Sequence, residues 1–129
     1  LFQNENLLSI RMDAQEIRGD SRPLLVRTGD IWALPEGVPL PVQTLFPQIR
    51  RRKRRLFSHL IKQGKARQAA GDCFLDERFD KKLPKALSFQ RCALTPDRLE
   101  FYIPQGMLAP AVEGIVTFSI PVESNRLQL

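Results

Sequence analysis

Residues 44–72, TLFPQIRRRKRRLFSHLIKQGKARQAAGD, carry the pattern that decides the fold. Apolar residues recur there at helical spacing and form one stripe, which consists of Leu45, Phe46, Ile49, Leu56, Phe57, Leu60 and Ile61. Thr44 is a suitable N-cap, and Gly71 with Asp72 marks the end. The stretch therefore predicts one long helix, which begins near Leu45, runs to about residue 70 and frays at Gly64.

Strand patterns precede this helix. In residues 8–17 apolar and polar residues alternate, and residues 24–34 are rich in β-favouring side chains, so the two stretches are expected to pair as a hairpin. The expected apolar face is Leu8, Ile10, Met12 and Ala14, the turn is Gly19, Asp20 and Ser21, and Gly29 marks a bulge or break. Residues 38–42, with two prolines, predict an edge strand or an extended connector.

More elements follow the helix. Residues 79–87 predict a short second helix interrupted by Pro84, and residues 91–95 and 99–103 predict a hairpin with Arg98 in the left-handed region. Residues 115–122 predict a closing strand, and a tail begins at Glu123. The predicted fold class is α+β: an antiparallel sheet with one long helix packed on one face and a short second helix.

Length and composition fit a single domain over residues 1–129, because 43% hydrophobic and 26% charged residues are close to globular averages. No apolar run approaches the roughly 20 residues of a membrane-spanning helix. The first residue is Leu1 and not Met, so the chain is interpreted as a processed or trimmed piece of a longer protein.

Residues able to run chemistry are scarce. His59 is the only histidine, and its place between apolar helix positions is typical of a surface or core-edge residue. The acidic residues show no metal-ligand spacing, and no glycine-rich phosphate loop is present. We therefore expect no catalytic residues, no metal site and no cofactor. Cys73 and Cys92 either form one disulfide or remain two reduced core residues.

The basic run at residues 50–55 is the sharpest single feature, and its members are Arg50, Arg51, Arg52, Lys53, Arg54 and Arg55. The chain has a net charge of +6, so these six side chains alone match its whole excess. By helical spacing Arg52 and Lys53 fall on the apolar stripe, with stems along the core edge. The run is interpreted as a solvated helix face, as an attachment to a polyanion or acidic membrane surface, or as a nucleic-acid site.

Two stretches carry a resemblance to a known family. Residues 31–46, IWALPEGVPLPVQTLF, and residues 94–103, LTPDRLEFYI, with the later Leu108, Pro110, Gly114 and Phe118, are the positions that carry it. They resemble the extracytoplasmic domain of unknown function at the C-terminus of the anti-sigma factor RsiV, also found in the polysaccharide deacetylase PdaC. The resemblance covers residues 7–122. It implies a bacterial domain outside the cytoplasm, with an α+β fold and no catalysis of its own.

The resemblance does not carry over every property. In RsiV such a domain helps to sense lysozyme, but lysozyme is basic like this chain, so their like charges oppose association. The sequence therefore predicts a non-catalytic binding or sensing module of a bacterial cell-surface or secreted protein. Its expected partner is an anionic cell-wall polymer, an acidic membrane surface or another protein. The alternative is a nucleic-acid or polyanion-binding protein that uses the basic helix, although the run has no base-stacking aromatic residue.

Overall fold

A long hairpin begins the structure, a computed structural model that describes residues 1–16, 24–124 and 126–129. Strand β2 (Leu7–Glu16) pairs antiparallel with strand β3 (Leu24–Ala33), so the predicted hairpin is confirmed. The turn predicted at Gly19–Ser21 lies outside the described residues. Two short strands extend this first sheet to the order β1-β2-β3-β4, namely β1 (Phe2–Gln3) and β4 (Val38–Pro39). Of the two alternatives predicted for residues 38–42, the edge strand is present only at Val38–Pro39, and a helix already begins at Val42.

The predicted apolar face of β2 is wrong in its outer half. Leu8 and Ile10 are half-buried, but Met12 is 59% exposed, whereas Leu7 and Ser9 on the opposite face are buried. A buried serine needs a hydrogen-bond partner. The Ser9 hydroxyl accepts a bond of 2.9 Å from the backbone N–H of Leu94 in a different sheet. Contact between sheets, and not polarity alone, therefore decides which face of β2 is covered.

The second sheet has the order β5-β6-β7-β8, where β5 is Cys92–Leu94, β6 is Arg98–Ile103, β7 is Val116–Glu123 and β8 is Arg126–Leu127. The predicted hairpin of β5 and β6 is confirmed, but Arg98 is not left-handed. The backbone N–H of Thr95 donates to the Arg98 carbonyl at 2.9 Å, and the Thr95 hydroxyl accepts from the Arg98 N–H. These bonds close the turn without a residue of positive φ.

The predicted tail is also wrong. The chain turns at Ser124, whose φ is 51°, and returns as β8 beside β7. Leu127 is only 2% exposed, so burial of this side chain holds the returning strand against the core. The described chain therefore has two four-stranded antiparallel sheets where the sequence predicted one.

The two sheets meet at Gly29. Its backbone N–H donates to the Gln90 carbonyl at 3.1 Å, and a Cβ atom at this position would overlap the Cys92 carbonyl oxygen. Strand β3 runs through Gly29 unbroken, so the predicted bulge or break is wrong. Glycine is needed here because two backbones approach each other too closely for any side chain.

The predicted long helix is divided into three helices: α1 (Val42–Leu45), α2 (Gln48–Arg51) and α3 (Lys53–Ala69). Thr44 lies inside α1 and does not cap a helix, and Pro47 separates α1 from α2. The second break is at Arg52, whose φ of −126° and ψ of 43° are not helical. Two breaks so close together replace the continuous helical register that the apolar spacing predicted.

The end of α3 agrees with the sequence. Gly71 has a φ of 78°, its N–H donates to the Gln68 carbonyl, and the Asp72 N–H donates to the Arg67 carbonyl. These two bonds are the Schellman pattern of a glycine-terminated helix. Gly64 is not a fraying point: it is buried, and a Cβ atom there would lie 2.7 Å from the Phe79 ring. Phe79 opens the predicted second helix, α4 (Phe79–Ala86), which includes Pro84.

Helix α3 packs along β7 of the second sheet. Leu56 and Leu60 are fully buried in the same core as Phe118 and Ile120. The Gln63 side chain accepts from the Ser119 N–H and donates to the Ser119 carbonyl, both at 2.9 Å. A side chain of α3 therefore bonds to backbone N–H and carbonyl groups at the edge of β7, where a neighbouring strand would otherwise pair. This α+β arrangement of antiparallel sheets and one long helix confirms the predicted fold class.

Candidate anion-binding site

All six side chains of the basic run are exposed. Arg50 and Arg51 end α2, Arg52 lies at the break, and the other three form the first turn of α3. A continuous helix would turn six consecutive side chains to every side, including the buried one. The break at Arg52 removes this conflict, so Arg52 and Lys53 are exposed and do not lie on the buried stripe on which helical spacing placed them. We call this exposed row of residues 50–55 the basic ridge.

The ridge belongs to a helical layer with no acidic residue. Residues 37–71 include nine Lys and Arg and no Asp or Glu, whereas the rest of the chain has 11 basic and 14 acidic residues. The first turn of α3 has no acidic side chain and no side-chain cap. Its three basic residues therefore lie at the positive end of the helix dipole, where cations are unfavourable and anions are favoured. The electrostatic potential of this face suits a negatively charged ligand.

A groove of about 490 Å³ lies beside the ridge. Phe46, Pro47 and Gln48 line it together with three arginines, Arg51, Arg52 and Arg126. Arg126 comes from β8, which lies where the sequence predicts a tail. The structure thus joins two members of the predicted run to an arginine 74 positions from Arg52. No sequence pattern indicates this third member, because a two-residue strand has no periodicity to detect.

The Gln48 side chain holds β8 beside the groove. Its amide oxygen accepts from the Leu127 N–H at 2.9 Å, and its amide nitrogen donates to the Leu127 carbonyl at 3.3 Å. The backbone of Glu123 pairs with that of Arg126 on the other side. Arg126 is therefore positioned by its neighbour Leu127, which is fixed by the core, by β7 and by α2.

A second, more open concavity continues along α3. Arg54 of the ridge, Lys62 and Lys65 surround the half-buried Phe57 and Ile61. The remaining ridge members, Arg50, Lys53 and Arg55, line neither hollow. The predicted basic run is thus divided by the fold: two residues enter the groove, one borders the open apolar surface, and three face solvent.

Cys73 and Cys92 are free thiols, and both are buried. The Cys92 thiol donates to the Phe89 carbonyl at 3.1 Å, and burial raises its pKa to about 12. Burial also raises the pKa of Cys73. A protonated, buried thiol is a poor nucleophile.

His59 is half-buried on α3. Within residues 1–16, 24–124 and 126–129, no three side chains of His, Cys, Asp or Glu are grouped closely enough to hold a metal ion.

Charged side chains also cluster around Tyr102, on strands β2, β3 and β6. Arg27 donates to Asp13 at 2.7 Å and lies 5.1 Å from the centre of the Tyr102 ring. Burial, together with a hydrogen bond to Glu100, raises the pKa of Tyr102 to about 12. Arg98 also donates to Glu100 at 3.0 Å, so each carboxylate of this cluster pairs with an arginine, and the cluster offers an anion much less than the ridge does.

No helix in the described part of the chain is long and apolar enough to cross a membrane. A comparison with curated proteins found no match. The profile of the family described as a protein of unknown function, DUF3298, matches residues 41–123. This match includes helices α1 to α4 and the first three strands of the second sheet. It covers 83 of the 129 residues, and the chain therefore belongs to the DUF3298 family.

Proposed function

We propose that this chain is a non-catalytic binding module of a bacterial cell-surface or secreted protein, and that its basic ridge attaches it to an anionic wall polymer. The resemblance to the RsiV C-terminal domain supports the setting outside the cytoplasm. The observation that carries the binding role is the exposure of all six consecutive basic side chains, in a segment of the chain that has no acidic residue. Polymers with repeated phosphate or carboxylate groups match such a row of charges.

The small number of reactive groups supports a role without catalysis. The thiols are buried with raised pKa values, and the only imidazole belongs to a helix that packs against the sheet. Turnover of wall fragments by the purified 129-residue chain would contradict this part of the proposal. Lysozyme is not the proposed partner, because its positive charge opposes that of the ridge.

Binding of the chain to a glycerol-phosphate polymer at several salt concentrations tests the proposal. The test variant replaces Lys53, Arg54 and Arg55 by Gln. The control variant replaces Arg78, Lys81 and Lys85 by Gln, which removes the same charge from exposed positions at α4. We expect the ridge variant to lose at least about tenfold more affinity than the control, with a shallower salt dependence.

Equal losses in the two variants would show that net charge and not the ridge controls binding. Duplex and single-stranded nucleic acid serve as competitors in the same titration. A higher affinity for nucleic acid than for the polymer would contradict the proposal and favour the nucleic-acid alternative. The compartment has a separate test in the parent gene. A leader or anchor helix upstream of residue 1 would support export, and an upstream cytoplasmic domain without either would contradict it.

A further inference from the structure

We propose that the groove between α2 and β8 binds one phosphate or carboxylate group of the anionic ligand, through Arg51, Arg52 and Arg126. This inference rests on the proposed function and adds a defined contact point to it. A row of exposed charges attracts any polyanion, but a groove lined by three arginines is able to select a chemical group.

Three arginines without partners line the groove. Within the described residues none of them forms an ion pair or a side-chain hydrogen bond. The nearest acidic residue in the strand register is Glu123, opposite Arg126, and the two form no ion pair. Gathering like charges is unfavourable in the absence of an anion. A bound oxyanion would reverse that balance, because guanidinium groups donate in pairs to phosphate and carboxylate oxygens.

The surroundings of the arginines are fixed by the fold. Phe46, which is 2% exposed, and Pro47 give the groove a rigid wall, and Gln48 holds β8 through both backbone groups of Leu127. A binding site is more effective when its side chains start from rigid elements. The groove is therefore preorganised for a ligand by packing and hydrogen bonds, whereas Arg50, Lys53 and Arg55 extend into solvent.

Because of Arg126, the groove extends beyond the residues that match the family. The family match ends at residue 123, whereas Arg126 lies on the following strand. Gln48, Arg51 and Arg52 lie inside the match. The groove thus combines a family helix pair with a strand outside the matched residues, and its ligand preference depends on both.

Titration of the 129-residue chain with inorganic phosphate and with acetate, followed by NMR of the arginine side chains and by calorimetry, tests the inference. We expect saturable binding of one phosphate or one acetate, and the tighter of the two identifies the class of ligand. Arg126→Gln should weaken this binding at least about tenfold. Arg55→Gln, which removes the same charge from the ridge outside the groove, should weaken it less than about twofold.

Gln48→Leu provides a second variant that retains all three arginines. If Gln48 positions β8, this change should weaken phosphate binding and accelerate hydrogen exchange of the Leu127 amide. Arg126→Lys keeps the charge and should restore only part of the affinity lost in Arg126→Gln, because an ammonium group cannot donate in the same forked geometry.

The outcomes separate this inference from the proposed function. If the polymer binds through the ridge but Arg126→Gln and Arg55→Gln have equal effects on phosphate, the groove is not a site and the proposed function stands. If phosphate binding depends on Arg126 but the polymer does not bind, the groove stands and the proposed function fails. An absence of saturable binding for both small anions overturns the inference directly.

Discussion

At the scale of single residues, Gly29 shows how one position controls the contact between two sheets. Its amide bonds to Gln90, and the Cys92 carbonyl occupies the space where a side chain would begin. We expect Gly29→Ala to lower the free energy of unfolding by about 3 kcal/mol or more, because backbone must move to admit a methyl group. Urea denaturation measures this loss.

Gly37→Ala is the matched control for this prediction. Gly37 has a φ of 71° but no atom within 4 Å of the added carbon, so only backbone strain of about 1 kcal/mol is expected. A similar loss in the two variants would mean that the sheets do not depend on the close approach at Gly29. The sequence predicted that Gly29 was special but assigned the wrong reason, because its crowding partner is more than 60 positions away in the chain.

The raised pKa of the Cys92 thiol predicts how the free energy of unfolding depends on pH. Burial raises the pKa of its thiol from an ordinary value of 9.0 to about 12 in the folded chain. Between these values the unfolded chain releases the proton and the folded chain keeps it, so the free energy of unfolding falls as pH rises. The contribution of the Cys92 thiol to the free energy of unfolding is intact below pH 9. Between pH 9 and about pH 12 that free energy falls with a slope that approaches about 1.4 kcal/mol per pH unit.

Urea denaturation from about pH 8 to about pH 11 tests this dependence, with Cys92→Ala as the variant. Tyr102 adds a loss of the same sign, because its pKa is also raised to about 12. The variant should therefore keep a shallower decline above pH 9 than the parent chain. Parallel curves for the two proteins would show that the Cys92 thiol does not drive the alkaline loss of stability.

At the scale of elements, the junction of α2 and α3 explains why the basic run is tolerated. The run spans a helix end, a break and a helix start, and so its six side chains all reach water. The apolar spacing correctly predicted which residues contact the core: Ile49, Leu56 and Leu60 are buried. It did not predict the break, because Arg52 is neither a proline nor a glycine and carries no local signal for a non-helical backbone.

Lys53→Glu separates the stability of α3 from its proposed function. An acidic residue in the first turn interacts favourably with the helix dipole and with the adjacent arginines, so we expect a gain of about 0.5–1 kcal/mol. Binding to the glycerol-phosphate polymer should weaken in the same variant. Thermal denaturation and the polymer titration measure the two effects.

Lys62→Glu is the control, because it makes the same charge change at an exposed position in the middle of α3. Its effects on stability and on binding should both be smaller. A variant of Lys53 that is more stable and binds the polymer as well as the parent chain would indicate that the ridge is an ordinary solvated surface.

At the scale of the whole molecule, the excess positive charge is concentrated in residues 37–71 and is not spread evenly along the chain. The helical layer has nine basic residues and no acidic ones, so the remaining residues carry a net negative charge. Five of the six ridge side chains are arginines, the residue type whose positive charge is least sensitive to pH, and the isoelectric point of the chain is about 9.9. Polymer binding should therefore persist at about pH 10.3, where the net charge of the chain is below zero.

This expectation is tested by a polymer titration at that pH, with circular dichroism to verify that the chain stays folded. The variant in which Lys53, Arg54 and Arg55 are replaced by Gln should bind markedly less under the same conditions. Loss of binding by the parent chain as soon as its net charge reaches zero would contradict the prediction, because it would mean that the ridge does not act independently of the rest.

More of the architecture than of the groove could be predicted from the sequence. Alternation and helical spacing predicted both hairpins, α4 and the glycine end of α3, because these patterns depend on neighbours close in the chain. The division into two sheets and the return of β8 depend on contacts distant in the chain, such as Ser9 with Leu94 and Gln48 with Leu127. The groove could not be predicted for the same reason, because Arg126 reaches it only when β8 folds back beside β7.

The peripheral position of Arg126 has a consequence for how such proteins diversify. The helix pair contributes two guanidinium groups from residues whose neighbours fill the core, but the third depends on a two-residue strand at the rim. Mutation of a handful of codons after residue 123 would add, remove or replace a donor without repacking the interior. Homologues that share the scaffold would then differ in ligand preference through the hairpin of β7 and β8 alone.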